Sequence, residues 1–269
     1  RINRFHSFCL VCLGAGQHRY EIVMALKILD LFSGIGGFSY AAEGLVGGYE
    51  TVAFCESDEF CQKILNKHWP DVPLHNDVRT LDADRYVGID VITAGFPCQD
   101  ISVGKRDAEG IDGKRSGLWS EVTRIAGRIR PQWIVLENVP ALLGRGMGRV
   151  VGDLASIGYD TQWQVIPATA IGAIHKRSRI WVVAHDPSNG IQGLPEIQIQ
   201  GQQGFPWLKN VRRFEDIPRR SALYPSQLCR GNARVSKRLH AIGNTIVPQQ
   251  AAMFLSAIKD TYNGQEKQG

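Results

Sequence analysis

The sequence contains no apolar run of about 18 residues, which is the length that a membrane-spanning helix needs. Its six cysteines among 269 residues are too few for a disulfide-linked scaffold, and its glycines show no triplet period, which excludes a collagen-like chain. A disordered chain is also excluded, because hydrophobic residues make up 43% of the sequence. The composition therefore indicates one large globular domain, with room for a small appendage, in a reducing compartment.

The positive charge of the chain is concentrated in one segment. Between Asp186 and His240 there are nine Lys or Arg and four Asp or Glu, and this excess accounts for the whole net charge of +5. A basic segment on a neutral body favours a polyanionic partner such as nucleic acid. On charge alone, an ordinary solvated surface is an equally good interpretation.

The first residues differ from the rest of the chain. The apolar stretch near the amino terminus is short and interrupted, and the first convincing strand begins at Lys27. We therefore interpret residues 1–23 as a leader outside the fold, with Met24 as the expected start. Cys9 and Cys12 form a single CxxC pair with no second pair nearby, so we expect no metal site.

Apolar runs alternate with helical patterns from Lys27 onwards. The runs predict buried strands and the segments between them predict helices, one of which Asp58 can cap. Buried strands separated by helices are typical of an α/β fold with a doubly wound, mostly parallel sheet. The predicted strands are residues 27–32, 51–55, 90–94, 133–136, 161–166 and 180–184, and the predicted helices are residues 37–45, 58–68, 119–129 and 248–258.

Four polar features follow strands of this predicted sheet. They are the glycine-rich turn after Phe32, then Glu56, Cys98 and Glu137. Ligands of doubly wound sheets bind at the carboxyl ends of the strands. Four such features at one edge therefore indicate a functional site.

The glycine-rich turn favours a nucleoside ligand. Gly34 and Gly36 let the backbone approach a ligand closely, and Glu56 follows Gly36 by 20 residues, where an acid can bind ribose hydroxyls. Ser39 stands near the place of the third glycine of the dinucleotide fingerprint, so a pyrophosphate is not required. A cofactor without phosphates, such as S-adenosylmethionine, fits better. A tight strand-to-helix turn without any ligand is the alternative.

Cys98 and Glu137 have side chains suited to catalysis. Cys98 follows Pro97 in a rigid loop, as an exposed nucleophile requires, whereas Cys55 and Cys61 are better interpreted as small buried residues. Glu137 ends an apolar strand, where burial can raise its pKa so that it donates a proton. A helix-capping or ion-paired acid is the alternative.

Two further groups of basic residues could face the same cleft. Residues 102–118 alternate glycines with Lys and Arg, and such a loop could close over a polyanion or simply be solvated. Arg177 and Arg179 alternate at the start of a predicted strand, and they could point into the cleft or towards solvent.

Five motifs occur in the order found in one enzyme family. They are Asp30-Leu-Phe-Ser-Gly-Ile-Gly-Gly-Phe38, Gly95-Phe-Pro-Cys-Gln-Asp-Ile-Ser102, Glu137-Asn-Val139, Arg177-Ser-Arg179 and Gly243-Asn-Thr-Ile-Val-Pro248. Each motif alone is weak, but the ordered set is specific. The chain resembles the DNA cytosine-C5 methyltransferases, and the resemblance implies the S-adenosylmethionine-dependent methyltransferase type of sheet with a small loop-rich target-recognition region.

The resemblance implies a role for each matching residue. Cys98 would attack C6 of a cytosine that has been flipped out of the duplex. Glu137 would hold the base and supply a proton, Arg179 would bind its O2, and Arg177 would help to hold the nucleotide. The S-adenosylmethionine pocket would be lined by Phe32, Ile35, Gly37, Glu56, Asp77, Val78, Leu118 and Asn244. The expected DNA contacts are Ser102, Lys105, Arg106, Arg212 and Arg213.

The resemblance also implies an organisation and a partner. We expect a catalytic and cofactor-binding domain at residues 24–185, a target-recognition region at 186–225, a segment at 226–262 that returns to the catalytic domain, and a tail at 263–269. Double-stranded DNA is the expected substrate, with no membrane and no metal. A monomeric, cytoplasmic enzyme of a bacterium or phage, from a restriction-modification system, is expected.

Three alternatives remain at this point. A tRNA cytosine-C5 methyltransferase would share the fold and the thiol chemistry, although Gln99-Asp100 after the nucleophile resembles the DNA type. A nicotinamide oxidoreductase would carry the full glycine fingerprint, which is absent. A catalytically silent DNA-binding protein would not need Cys98, Glu137 and the two arginines together.

Overall fold

The computed structural model of the protein describes residues 8–10, 22–97, 117–171, 177–189 and 245–266. These residues form a seven-stranded sheet and a separate pair of short strands. The strands in chain order are β1 (Phe8–Leu10), β2 (Ile22–Met24), β3 (Leu26–Leu31), β4 (Tyr49–Cys55), β5 (Leu74–His75), β6 (Val91–Ala94), β7 (Trp133–Asn138), β8 (Asp160–Pro167) and β9 (Ser178–His185).

Helices occupy the segments between the strands. They are α1 (Gly37–Ser39), which continues as a π-helical segment (Tyr40–Val46), then α2 (Glu59–His68), α3 (Gly117–Ile129), α4 (Leu142–Arg145), α5 (Met147–Ser156) and α6 (Pro248–Glu266). Short 3₁₀ turns lie at Val78–Thr80, Ala83–Tyr86, Ala168–Ile171 and Pro187–Asn189. None of the helices in these described ranges has both the length and the apolar character needed to cross a membrane.

The seven-stranded sheet confirms the predicted doubly wound, mostly parallel fold. Its strand order is β5-β4-β3-β6-β7-β9-β8, and the five strands from β3 to β7 are mutually parallel. Strand β9 runs the other way, because it pairs antiparallel with both β7 and β8, and β8 therefore runs in the same direction as the five parallel strands. The amino end of β9 therefore lies at the carboxyl edge of the parallel strands.

The carboxyl ends of the parallel strands are aligned. Leu31 at the end of β3 pairs with Cys55 of β4 and with Ala94 of β6, and Ala94 pairs with Leu136 of β7. The residues that follow these strands therefore meet at one edge of the sheet, as the sequence predicts.

The core consists of two apolar clusters on the two faces of the sheet. Side chains alternate between faces along a strand, so Leu29 and Leu31 of β3 belong to one cluster and Ile28 to the other. Helix α3 covers the first cluster with Trp119, which is fully buried, and α6 covers the second. Helices on both faces explain why the strands read as continuous apolar runs in the sequence.

Helix α2 begins where the sequence predicts. Asp58 accepts a hydrogen bond from the backbone N–H of Cys61 at 2.9 Å, which is the N-cap arrangement. Cys61 and Leu65 face the core one helical turn apart, and burial raises the pKa of the Cys61 thiol to about 12. Cys55 is buried as well and its pKa is also raised to about 12, so the prediction that these two cysteines are small buried residues is confirmed.

The carboxyl-terminal helix is tied to distant parts of the chain. The Tyr49 hydroxyl donates to the carbonyl oxygen of Leu255 at 2.6 Å, and Gln250 Nε2 donates to the carbonyl oxygen of Ile166 at 2.9 Å. Both bonds are buried, so α6 is an integral part of the fold around the seven-stranded sheet.

The two strands nearest the amino terminus pair only with each other in the described part of the chain. Phe8 lies opposite Met24 and Leu10 lies opposite Ile22 in an antiparallel pair that is separate from the seven-stranded sheet. The interpretation of residues 1–23 as a leader stays a prediction, as do the predicted domain boundaries. Only residues 186–189 of the predicted target-recognition region are described.

Two glycines offer a matched test of the packing around the glycine-rich turn. Gly36 and Gly88 have nearly the same positive φ, 86° and 88°. A Cβ at Gly36 would lie 2.6 Å from a ring carbon of Trp69, whereas a Cβ at Gly88 would meet nothing within 4 Å. We expect Gly88→Ala to lower the free energy of unfolding by about 1 kcal/mol through its backbone alone. Gly36→Ala should cost about 1–3 kcal/mol more, because the indole must move. Urea unfolding measures the difference, and equal losses would contradict the packing of Trp69 on the turn.

Candidate active site

The turn that follows β3 is held in a left-handed conformation by its neighbours. Phe32 and Gly34 have φ of 54° and 55°, and for the non-glycine Phe32 this costs about 1–2 kcal/mol. The buried Ser33 fixes the turn, because its N–H donates to the carbonyl oxygen of Cys55 at 3.1 Å and its hydroxyl donates to that of Asp30 at 2.6 Å. A strained residue that its surroundings enforce is typical of a ligand-binding turn.

Glu56 closes the turn from the neighbouring strand. Its Oε2 accepts the Gly34 N–H at 2.7 Å and its Oε1 accepts the Asp58 N–H at 2.7 Å. A carboxylate has about four acceptor positions, so two remain for hydroxyl donors. Glu56 can therefore hold the turn and bind the hydroxyls of a ribose at the same time.

Apolar side chains of the turn and of the start of α3 are only partly buried. Phe32 and Leu118 are half-buried and pack against the core, and Ile35 is also half-buried, so each keeps a surface that a purine can cover. Gly37 is placed differently, since a Cβ there would lie 2.6 Å from Cγ1 of Ile246. Gly37 therefore permits close packing of the carboxyl-terminal segment on the turn. Together with Glu56, these residues fit the nucleoside part of S-adenosylmethionine.

Asp77 and Val78 lie near the carboxyl edge of the sheet, but their surroundings support a role in cofactor binding less than the sequence does. Asp77 accepts from Arg79 Nε at 2.9 Å, and this hydrogen bond lowers the pKa of its carboxyl. Val78 is 4% exposed and belongs to the core. Their predicted roles in cofactor binding stay predictions.

The acid at the end of β7 lies against the paired arginines. Glu137 is 7% exposed, and its Oε1 is 2.7 Å from Nε of Arg179. Burial raises the pKa of Glu137 above its usual value, and the charges of Arg179 and Arg177 oppose that rise. The carboxyl is thus ion-paired and also easier to protonate than an exposed glutamate. An acid with a raised pKa and an ion-paired acid, the two interpretations of the sequence, are therefore compatible.

The segment that leads to Cys98 lies between this acid and the turn. A Cβ at Gly95 would lie 3.9 Å from Oε2 of Glu137 and 4.0 Å from the carbonyl oxygen of Phe32. The side-chain amide of Asn138, the residue after the acid, donates to the carbonyl oxygen of Phe96 at 2.9 Å. The strand ends β3, β6 and β7 therefore meet at one point.

The closing motif completes the edge. Arg177 Nη2 donates to the carbonyl oxygen of Thr245 at 2.6 Å, and the Thr245 hydroxyl would lie 3.8 Å from a Cβ at Gly34. Arg177 thereby connects the neighbourhood of Glu137 with the glycine-rich turn. The alternative that the two arginines simply face solvent is excluded, because both are partly buried beside Glu137.

Several predicted site residues lie outside the described residues. They are Cys98, Asn244, Ser102, Lys105, Arg106, Arg212 and Arg213. Within the described ranges, no group of three or more His, Cys, Asp or Glu could hold a metal ion. The predicted absence of a metal stays a prediction for the chain as a whole.

Sequence reasoning missed two residues that shape the turn. Asp30 is completely buried beneath it, and the signal was an acid inside the apolar strand β3. Trp69 packs on Gly36 and donates from Nε1 to Glu43 Oε2 at 2.7 Å. No sequence pattern marks this contact, because it joins residues far apart in the chain.

Comparison with known families agrees with this geometry. The family model described as C-5 cytosine-specific DNA methylase matches residues 26–261. The chain belongs to this family. The match extends from the first strand of the seven-stranded sheet into helix α6, so it includes every motif named above.

Individual relatives are similar over part of their length. Type II methyltransferase M2.BsuMI of Bacillus subtilis is 32% identical over 211 residues, which are 70% of this chain and 52% of that protein. Type II methyltransferase M.DsaV of Dactylococcopsis salina is 36% identical over 168 residues, which are 61% of this chain and 47% of that protein. The chain thus spans about half the length of these relatives.

A solved structure shares the fold. It is a candidate DNA modification methyltransferase encoded within a prophage of E. coli, with a TM-score of 0.53 and 24% identity over 64% of this chain and 50% of that one. At this identity the likeness supports the methyltransferase type of sheet and nothing finer.

The ion pair at the site predicts a change in how stability depends on pH. The folded pKa of Glu137 lies above its ordinary value of 4.5, so its contribution to stability falls as pH rises from that value through the folded pKa. Arg179→Met removes the charge that limits the rise, so we expect a loss of about 3 kcal/mol at pH 8 and a smaller loss at pH 5. Melting temperatures across this range measure the effect.

A matched control separates charge from packing. The double variant Glu137→Gln with Arg179→Met has no buried charge at this position and should show a flatter curve than Arg179→Met alone. If the melting temperatures of the parent and of Arg179→Met change with pH by the same amount, an ion pair between Glu137 and Arg179 is contradicted.

Proposed function

We propose that this chain is the catalytic part of a DNA (cytosine-5-)-methyltransferase that moves a methyl group from S-adenosylmethionine to C5 of a cytosine. The observation that carries the proposal is the meeting of Glu137, Arg179 and the segment before Cys98 beside the glycine-rich turn. An acid with a raised pKa, a fixed cation and a thiol are the groups that activation of a pyrimidine ring requires. Membership of the methylase family supports the same assignment.

The cofactor side of the site would bind S-adenosylmethionine through this chain's own residues. Glu56 would accept hydrogen bonds from the ribose hydroxyls, and Phe32 and Leu118 would pack against the adenine. When bound there, S-adenosylmethionine supplies an electrophilic methyl group. The short distance between the turn and Glu137 would place that group beside the base.

The base side of the site would make C5 reactive. The Cys98 thiolate would add to C6, and the electron pair of the C5–C6 double bond would move towards the ring nitrogen N3. Glu137, in its protonated form, would donate its proton at N3, and Arg179 would bind O2. C5 would then take the methyl group, and the sulfur of S-adenosylmethionine would leave as the thioether of S-adenosylhomocysteine. Water would accept the C5 proton, the thiolate would be expelled from C6, and N3 would return its proton to Glu137, which restores the aromatic ring.

This chemistry needs an accessible base. A cytosine inside a stacked duplex exposes neither face of C6, so the nucleotide would be flipped out of the helix. Arg177 would support the flipped nucleotide near the closing motif, to which its guanidinium is already bonded. Double-stranded DNA is thus the proposed substrate, with modification of cytoplasmic DNA in a restriction-modification system as the proposed setting.

The proposed nucleophile can be tested directly. Bisulfite sequencing of plasmid DNA from cells that express the chain should reveal 5-methylcytosine at one sequence context. Cys98→Ser should remove it while S-adenosylmethionine binding remains, because a hydroxyl is far less ionised than a thiol at neutral pH. Cys61→Ala is the matched control, since Cys61 is a buried thiol on α2 and should leave methylation unchanged. Methylation by Cys98→Ser at the parental rate would overturn the assignment.

A mechanism-based trap complements this test. DNA with 5-fluorocytosine at the identified target should stay covalently attached to Cys98, because fluorine cannot leave as the C5 proton does. A denaturing gel detects the adduct. Incubation with transfer RNA instead of DNA tests the alternative substrate, and methylation of RNA alone would contradict the DNA assignment.

The basic segment should contribute to DNA binding through phosphates. We expect replacement of Arg212 and Arg213 by Gln to weaken binding to every DNA sequence alike. It should also reduce the slope of log affinity against log salt by up to about two units. Replacement of the ion-paired Arg124 and Arg128 on α3 by Gln removes the same charge elsewhere and serves as the control. An unchanged slope for the Arg212 and Arg213 variant would show that these residues do not contact phosphate.

A further inference from the structure

A buried acid links the two halves of the candidate site. Asp30 lies on the central strand β3 with 0% exposure. Its Oδ1 accepts from the Thr93 hydroxyl at 2.8 Å, and its Oδ2 accepts from the Ser39 hydroxyl at 3.2 Å. Thr93 lies on β6 two residues before Gly95, and Ser39 lies at the end of α1, just after the turn.

The same residue also holds the beginning of the turn. The Ser33 hydroxyl donates to the main-chain carbonyl oxygen of Asp30 at 2.6 Å. The turn is thus bracketed by two serines, Ser33 and Ser39, that both bond to Asp30. Thr93 pairs with Asp30 in the β3–β6 ladder, so the segment towards Cys98 starts from the same point.

No positive charge balances this carboxyl among the described residues. The charged groups that act on it are Glu56 after β4 and Glu43 of the π-helical segment, and both raise its pKa. Burial, more than these neighbours, raises the pKa of Asp30 to about 7. An apolar side chain would avoid the cost of burying an acid, so an acid at this place points to a role in the site.

We propose that Asp30 is a positioning residue that keeps the cofactor turn and the segment before Cys98 in one fixed arrangement through Ser39 and Thr93. The inference rests on the proposed function, since it concerns how the same site binds S-adenosylmethionine. Because Asp30 is fully buried, its carboxyl would reach neither cofactor nor substrate and would act through the hydroxyls of Ser39 and Thr93.

The arrangement depends on the charge of the carboxyl. An ionised Asp30 accepts hydrogen bonds from both hydroxyls, and such charge-assisted bonds are the stronger kind. A protonated Asp30 must donate one of them, so one hydroxyl has to reorient. Cofactor binding should therefore tighten as pH rises through the range in which Asp30 ionises.

A matched pair of threonines tests the hydrogen bond. Thr93→Val removes the hydroxyl that bonds to Asp30. Thr51→Val makes the same change on β4, which lies on the other side of β3. Thr51 is 3% exposed and its hydroxyl has no hydrogen-bond partner. We expect Thr93→Val to raise the Kd for S-adenosylmethionine roughly five- to tenfold, and Thr51→Val to change it less than about twofold. Isothermal titration calorimetry measures Kd, and melting temperatures confirm that both variants are folded.

The pH dependence separates positioning from general stability. The parent should bind S-adenosylmethionine several-fold more tightly at pH 8 than at pH 6, and Asp30→Asn, which cannot ionise, should lose most of this difference. Equal pH dependence in the parent and Asp30→Asn would overturn the inference, as would indistinguishable Kd values for Thr93→Val and Thr51→Val. If Asp30→Asn does not fold, the threonine pair alone decides.

The outcomes also distinguish this inference from the proposed function. A parent chain that binds S-adenosylmethionine and methylates DNA, with variants that behave as the control, would refute the role of Asp30 and leave the function intact. A parent chain that does not bind S-adenosylmethionine at any pH would refute both.

Discussion

The antiparallel pairing of β9 with β7 determines where Glu137 and Arg179 of the candidate site lie. Because β9 runs against its neighbour, its first residues are delivered to the carboxyl edge of the sheet, where Glu137 ends β7. The register places Asn138 opposite Ile180, which leaves Arg179 beside the acid at 2.7 Å. A shift of one residue would turn Arg179 to the other face of the sheet and leave Glu137 buried without a cation. One strand direction and one register thus decide whether the site exists.

Much of this arrangement was predictable because it depends on local patterns. The sequence itself shows the apolar runs of the buried strands and the cap at Asp58. It also shows the glycine-rich turn that follows Phe32 and the acid Glu137 at the end of an apolar run. The reversal of β9 was not, since a short apolar run has no direction in its sequence. Neither was the contact of Trp69 with the turn, which depends on how α2 packs and not on any periodicity near Gly36.

Several unfavourable features of the structure lie at the edge where the candidate site is found. Phe32 has a left-handed backbone, Asp30 and Glu137 are buried acids with raised pKa, and the buried Thr245 hydroxyl has no hydrogen-bond partner. Two apolar clusters on opposite faces of the sheet stabilise the framework that holds these residues in place. A left-handed residue, two buried acids and an unpaired hydroxyl so close together are typical of a functional site.

The path of the chain explains why its last helix belongs to the site. Since β9 ends at the edge opposite the site, the chain leaves the sheet there, where Arg130 pairs with the buried Asp186 at 2.6 Å. Thr245, at the start of the last described range, lies beside the glycine-rich turn at the other edge. Ile246 then packs on Gly37, and Tyr49 bonds to α6. The glycine-rich turn follows the first strand of the seven-stranded sheet and is packed by the segment that leads into α6, so residues from distant parts of the chain shape it together.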